Sequence, residues 1–282
     1  MRMRQEAIVG LGVDGFHRVA YTEWGDTAAE RVVVCVHGLT RNGRDFDALA
    51  ADLEGDFRVA CPDLPGRGGS GWLKDGNHYA LPTYMADMTA LVARLAVPSV
   101  DWIGTSLGGL IGIALAAQEN TPIKRLVIND IGPFVPRAAL KRIGGYVGQA
   151  PDFADMDEIV AYLSQVHSGF GPLSDDEWRH LAVHGSRQDD DGTWHLHYDP
   201  AIATPFQAGV RSDLDLWAMW DKIDCPVLVL RGGDSDTLLA ETAEEMSQRG
   251  PGADVITFAG VGHAPALMAD DQITAIRDWL AK

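Results

Sequence analysis

At 282 residues, 46% of them hydrophobic and 22% charged, the chain has the composition of one large globular domain or of one domain with a sizeable insertion. Forty Asp and Glu against 23 Lys and Arg give a formal charge of −17 with only five lysines, which argues against phosphate-backbone or polybasic membrane-surface binding. No window approaches the roughly 18 apolar residues of a membrane span. The basic start, Met1-Arg2-Met3-Arg4, runs at once into Gly10, Asp14 and His17, so no leader is expected. Cys35, Cys61 and Cys225 are odd in number and each lies in or beside a Val/Leu-rich segment, which reads as small buried hydrophobes in a reducing cytoplasm.

Two β-like runs, Ala7–Val9 and Phe16–Trp24, flank a Gly/Asp turn and predict an opening hairpin. Val32–His37 is a continuous β-branched run of the kind buried on both faces of a parallel sheet. Asp45–Leu53 has helical spacing, Phe57–Cys61 reads as a strand, and Thr83–Leu95 carries its apolar residues at helical intervals. Strand Val100–Gly104, helix Leu107–Gln118 and strand Ile123–Asn129 follow. The alternation resumes with strand Pro226–Leu230, helix Leu238–Arg249, strand Asp254–Phe258 and helix Asp271–Leu280. Repeated β-then-α units predict an α/β fold, a mostly parallel eight-stranded sheet with helices on both faces and the hairpin as an antiparallel edge.

Between the sixth and seventh strands lie about ninety residues, too many for a bare connection, since structureless loops beyond roughly 15 residues are uncommon. Helical stretches near Ala138–Val147, Asp157–Val166, Asp175–Val183 and Leu214–Trp220, with no convincing strand run, predict a helical cap. The expected organisation is a core of 1–131 and 223–282 with a cap of 132–222. Asp189-Asp190-Asp191-Gly192 reads as a solvated turn.

The most informative segment is Gly104-Thr105-Ser106-Leu107-Gly108, a G-x-S-x-G pattern between a predicted strand and a predicted helix. Residues two before and two after such a serine must lack side chains for strand and helix to approach. Ser106 would then stand at the carboxyl end of the sheet, at a helix N-terminus that favours developing negative charge. A serine nucleophile needs a base, and Gly260-Val261-Gly262-His263-Ala264-Pro265 puts His263 on a loop at the same end of the sheet. An orienting carboxylate should follow the strand Pro226–Leu230, where Arg231-Gly232-Gly233-Asp234-Ser235-Asp236 offers Asp234 and Asp236. The tetrahedral oxyanion needs backbone N–H donors already in place, and Leu107 opens the predicted helix beside the serine. No cofactor and no metal is required.

These motifs together resemble the α/β-hydrolase fold superfamily, over essentially the whole chain. Val34-Cys35-Val36-His37-Gly38-Leu39-Thr40 resembles its oxyanion loop, Pro62–Ser70 its turn after the next strand, and Gly104–Gly109 its nucleophile elbow, which implies that the backbone N–H groups of Leu39 and Leu107 would meet the oxyanion. The Arg231–Asp236 and Gly260–Pro265 segments are similar to those of bacterial serine esterases, enol-lactonases and meta-cleavage-product hydrolases. That likeness maps the acid to Asp236, with Asp234 as the alternative; Asp130, after the sixth strand, is a further candidate that reads more readily as structural. A serine at the elbow implies an acyl-enzyme rather than the alkyl-enzyme of aspartate-using relatives.

Other signals are weaker. Gly10-Leu11-Gly12-Val13-Asp14-Gly15 and Gly66-Arg67-Gly68-Gly69-Ser70-Gly71 both match G-x-G-x-x-G, but neither opens a helix, so a dinucleotide site is not expected. His195, His197 and Asp199 would share one face of an extended segment and could ligate a metal, although ties between cap and core are the better reading. Thr40, Arg41, Arg137 and Trp217 are expected near the substrate, with Lys141 and Arg142 as further cations at the mouth. The function expected is hydrolysis of a small ester or lactone through an acyl-serine in the cytoplasm, with a homodimer left open. Carbon–carbon cleavage of a vinylogous diketone acid is the alternative, and a non-catalytic hydrolase-fold receptor is a third reading.

Overall fold

The computed structural model describes residues 3–207 and 209–282. Met1 and Arg2, part of the stretch read for a leader, and Ala208 of the insertion lie outside the described residues. The opening hairpin pairs β1 (Arg4–Gly12) with β2 (Gly15–Trp24), longer than its apolar runs suggest. The first core units are β3 (Val32–Val36), α1 (Asp47–Leu53), β4 (Arg58–Pro62), α2 (Leu81–Leu95), β5 (Val100–Thr105), α3 (Leu107–Ala116) and β6 (Ile123–Asn129).

The insertion carries β7 (Phe134–Val135), α4 (Arg137–Tyr146), α5 (Met156–Val166), α6 (Asp175–Gly185), β8 (Ser186–Gln188), β9 (Trp194–Leu196), α7 (Thr204–Gln207), β10 (Leu214–Asp215) and α8 (Trp217–Trp220). The core closes with β11 (Val227–Gly232), α9 (Ala240–Gln248), β12 (Asp254–Phe258) and α10 (Asp270–Leu280).

One eight-stranded sheet runs in the order β1-β2-β4-β3-β5-β6-β11-β12. Its hairpin edge is antiparallel and the strands from β4 to β12 pair in parallel. Side chains alternate across it as the strand period of two demands. Val33, Cys35, Cys61, Ile103, Val127, Leu228 and Leu230 pack with α1 and α10 on one face, while Val34, Val36, Trp102, Leu126, Ile128 and Val229 pack with α2 and α3 on the other. Both faces are therefore covered, which explains the unbroken apolar strand runs.

The insertion differs from expectation in its strands, because it contains two small antiparallel pairs, β7 with β10 and β8 with β9. Strands of two or three residues are too short to leave a periodic signal. The Asp189–Gly192 stretch is the turn of the β8–β9 hairpin, closed by Asp189 N–H to the Thr193 carbonyl at 2.9 Å. Of the predicted helix Leu214–Trp220 only Trp217–Trp220 is helical, since Leu214 and Asp215 pair with β7 instead. Among the described residues no helix is long and apolar enough to cross a membrane.

Candidate active site

The parallel strands deliver β5, β6 and β11 to one end of the sheet, and the site is assembled from the loops that leave them. Ser106 stands between β5 and α3 with φ 50° and ψ −110°. A non-glycine residue in that region costs on the order of 1–3 kcal/mol and persists only when its surroundings over-determine it. Here they do: a Cβ at Gly104 would run into the Gly108 backbone, and a Cβ at Gly108 into the Val36 carbonyl. The two flanking glycines let strand and helix close around the serine.

His263 reaches Ser106 from the loop after β12, its Nε2 lying 3.0 Å from Ser106 Oγ. Nδ1 lies 2.8 Å from Asp130 Oδ2. The carboxylate can only accept, so Nδ1 carries the proton and Nε2 is free to accept from the serine hydroxyl. Asp130 is fully buried and sits at the end of β6 with φ 55°, a left-handed conformation that aspartate tolerates better than most residues. Its Oδ1 accepts from Gly232 N–H at 2.7 Å and its Oδ2 also accepts from Ser235 Oγ at 2.6 Å.

The expectation for the acid is corrected by this geometry. Asp236 lies away from His263 Nδ1, exposed, and accepts from Arg142 Nε and Nη2 at 2.6 and 2.7 Å. Burial pushes its carboxyl up, but the Arg142 guanidinium outweighs that and holds it below the usual carboxylate range. Asp234 is exposed as well. The Arg231–Asp236 segment thus supplies donors to the buried acid, Gly232 N–H and Ser235 Oγ, rather than the acid itself.

The loop after β3 is held by His37, which is wholly buried. Its Nε2 accepts from Leu64 N–H at 2.9 Å, so its Nδ1 donates to the Gly38 carbonyl at 2.7 Å. Burial drives its pKa down to about 3, keeping the imidazole neutral and able to play both roles. Buried Arg67 donates to the Leu39 carbonyl at 2.8 Å and to Tyr84 Oη at 3.0 Å. With the Gly38 carbonyl held by His37, the Leu39 amide on the other side of that peptide, like the first amide of α3, Leu107, is left without a protein acceptor among the described residues.

A cavity of about 320 Å³ opens over Ser106 and His263. Core residues supply most of its lining, and the insertion closes it with Leu140, Ile143, Tyr146, His167, Phe170 and Phe206. Thr40, Arg41 and Arg142 line it, but Arg41 is already paired to Asp45 at 2.7 and 2.9 Å. Arg137 and Trp217 do not line it, contrary to expectation. Arg137 Nε donates to the Val210 carbonyl at 2.9 Å, and Trp217 packs edge-on to Trp220 with Arg249 over its ring. Lys141 likewise lies outside the lining.

The alternating His195, His197 and Asp199 go to separate partners. His195 contacts Asp152 and Asp189 at 3.0 and 2.9 Å, while Asp199 accepts from Tyr79 Oη at 2.6 Å and so ties insertion to core. Asp47, His180 and His184 do bring ligand-type atoms within 4.8 Å of one another. Arg44 is threaded among them, donating to the Asp47 carboxylate with its Nη1 3.4 Å from His184 Nδ1, so a cation there would meet a guanidinium. The first glycine-rich decoy forms the hairpin turn and the second a loop with Gly66 and Gly68 at positive φ.

A buried carboxylate, an imidazole of fixed tautomer, a strained serine at a helix N-terminus and two free amides beside an apolar cavity define the apparatus of a hydrolase. The comparisons agree: the profile of the Alpha/beta hydrolase family matches residues 33–276, and the chain belongs to that family. It is 47% identical over 267 residues to a 3-hydroxybutyrate-oligomer hydrolase of Cupriavidus necator, covering 92% of this chain and 91% of that protein. An esterase of Mycobacterium tuberculosis is 28% identical, over 82% of this chain and 75% of that protein. The crystal structure of an alpha/beta hydrolase from Novosphingobium aromaticivorans superimposes with a TM-score of 0.88 at 37% identity, covering 99% of this chain and 98% of that one.

Proposed function

We propose that the protein hydrolyses carboxylic esters through an acyl-serine on Ser106, and that its substrates are small esters or lactones of 3-hydroxy acids. The observation that carries the mechanism is the continuous hydrogen-bond chain from Ser106 Oγ through His263 to Asp130, at 3.0 and 2.8 Å. His263 Nε2 takes the hydroxyl proton as Oγ attacks the acyl carbon, and Asp130 stabilises the imidazolium that results. The Leu39 and Leu107 amides receive the oxyanion, a contribution typically worth about 2.7–4 kcal/mol per donor. Collapse passes the proton from His263 to the departing alkoxide. Water, deprotonated by the same imidazole, then cleaves the acyl-serine and releases the acid.

The substrate class is supported by the relative that is 47% identical, because oligomers of 3-hydroxybutyrate join the carboxyl of one unit to the hydroxyl of the next as an ester. Residues 132–222 would act as the cap that walls the acyl pocket and limits water. Carbon–carbon cleavage would require a cation free for the substrate carboxylate. Arg41 and Arg142 are each held by a carboxylate of the protein, which weighs for the ester reading.

Release of p-nitrophenol from a short acyl series, run beside a fluorophosphonate label, tests the proposal. Ser106→Ala should lose both the label and turnover, by about 10⁶-fold in kcat. Undiminished turnover in that variant would contradict it.

A further inference from the structure

Most polar side chains that line the cavity are already engaged within the protein. Arg41 and Arg142 are paired to Asp45 and Asp236, Tyr84 Oη takes Arg67, and Thr105 Oγ1 accepts from Asn129 Nδ2 at 3.0 Å. Thr40 Oγ1, Tyr146 Oη and the imidazole of His167 have no side-chain partner among the described residues, and of these only His167 offers two ring nitrogens. It follows α5, lines the cavity, and is 8% exposed, yet neither ring nitrogen has a hydrogen-bond partner among the described residues.

The ring is nevertheless firmly placed. It stacks on Phe170 with centroids 4.7 Å apart and planes at 21°, and stands edge-on to Tyr146 at 6.2 Å. Two residues on, Gly169 packs directly against the His263 loop and its carbonyl accepts from Gly262 N–H at 2.8 Å. The insertion segment bearing His167 is thereby keyed to the loop that bears His263.

Burial, and after it the charges of Arg41 and His263, holds the imidazole well below its ordinary pKa, so the ring is neutral. A neutral imidazole offers one donor and one acceptor, which matches the acceptor and donor of an alcohol. An unpaired polar group in an apolar cavity also discriminates strongly, since a ligand lacking the matching group leaves it desolvated and unsatisfied.

We propose that His167 is a specificity-determining residue that takes the free 3-hydroxyl of a hydroxyacyl group whose carbonyl lies at Ser106. The inference rests on the ester reading above and goes beyond it, by assigning recognition of the hydroxyl to a residue outside the reacting atoms. It predicts that the enzyme prefers a 3-hydroxyacyl ester with a free hydroxyl to the otherwise identical deoxy ester.

The test compares kcat/KM for p-nitrophenyl 3-hydroxybutyrate and p-nitrophenyl butyrate in the wild type, His167→Phe, His167→Gln and Tyr146→Phe. Phenylalanine keeps the stack on Phe170 and removes both nitrogens. The hydroxybutyryl preference should fall by roughly tenfold to a hundredfold in His167→Phe while butyrate hydrolysis stays within about threefold, with Gln retaining part of the preference. Equal losses on the two esters, in either His167 variant, would mark a structural role and overturn the proposal. So would an unchanged preference, a wild type indifferent to the hydroxyl, or loss of the preference in Tyr146→Phe alone. Failure of the wild type to turn over either ester would instead defeat the proposed function, and this inference with it.

Discussion

Two strand ends compete in this molecule to supply the carboxylate behind His263, and only one is built for it. Asn129 at the end of β6 pairs with Leu230 of β11, so Asp130 and the Arg231–Asp236 loop emerge side by side. Asp130 follows its strand immediately, is sealed from solvent and accepts from Gly232 N–H, Ser235 Oγ and His263 Nδ1. Asp236 is carried further along its loop to the exposed rim, where Arg142 takes both of its oxygens. The two aspartates are chemically identical, and what separates them is burial and the direction of their partners. A screened surface ion pair is worth little, whereas a buried carboxylate that orients an imidazole sets the tautomer on which proton transfer depends.

That contrast can be broken or sharpened experimentally. The largest effect is expected at Asp130: Asp130→Asn preserves the shape but invites the wrong imidazole tautomer, and kcat on a p-nitrophenyl ester should fall by about 10⁴-fold. A smaller loss is expected when the oxyanion loop is loosened. His37→Gln should lower kcat by about 10²-fold with KM little changed, because His37 shapes the Gly38–Leu39 turn without touching substrate.

The same variant carries a pH signature. The folded-state pKa of His37 is depressed to about 3, below the roughly 6.5 of the unfolded chain, so the unfolded state binds the extra proton between those values. This group's contribution to stability is therefore complete above about pH 6.5 and is lost as pH falls toward 3, with a limiting slope of about 1.4 kcal/mol per pH unit. Burial also lowers His167, His184 and His197 and raises Asp63 to about 6, the last with the opposite sign, so the wild-type curve alone mixes several groups. Urea unfolding of wild type and His37→Gln across pH 4–7 isolates the histidine, and the variant should show the shallower acid loss.

A lesser change is expected at Ser235, whose hydroxyl donates to Asp130 Oδ2 and accepts from Leu238 N–H. Ser235→Ala should cost about tenfold in kcat, consistent with one charge-assisted hydrogen bond. The smallest effect is expected at Asp236→Asn, which should leave kcat within about threefold. A fall there comparable with that of Asp130→Asn would reverse the contrast between the strand ends.

Much of this arrangement was legible before the structure. The β/α alternation, the antiparallel edge, and the loops bearing Ser106 and His263 follow from apolar runs, glycine placement and position at strand ends. The choice of acid was not, because both Asp130 and Asp236 keep the chain order serine, acid, histidine, and sequence carries no direct signal of how far a loop turns outward. The motif pointing to Asp236 instead marks the segment whose backbone and Ser235 support Asp130. Arg137 and Trp217 were misplaced for a related reason, since helix periodicity in the insertion says which residues share a face but not which face meets the cavity. His167 gave no local signal at all; its interest arises from tertiary packing against Phe170 and Tyr146.

The most direct test of the central claim is side-chain NMR of His263 with ring-nitrogen labelling, following the deshielded Nδ1–H resonance in wild type, Asp130→Asn and Asp236→Asn. A resonance present in wild type and Asp236→Asn but lost or moved far upfield in Asp130→Asn is the predicted result. Its survival in Asp130→Asn with loss in Asp236→Asn would contradict the account.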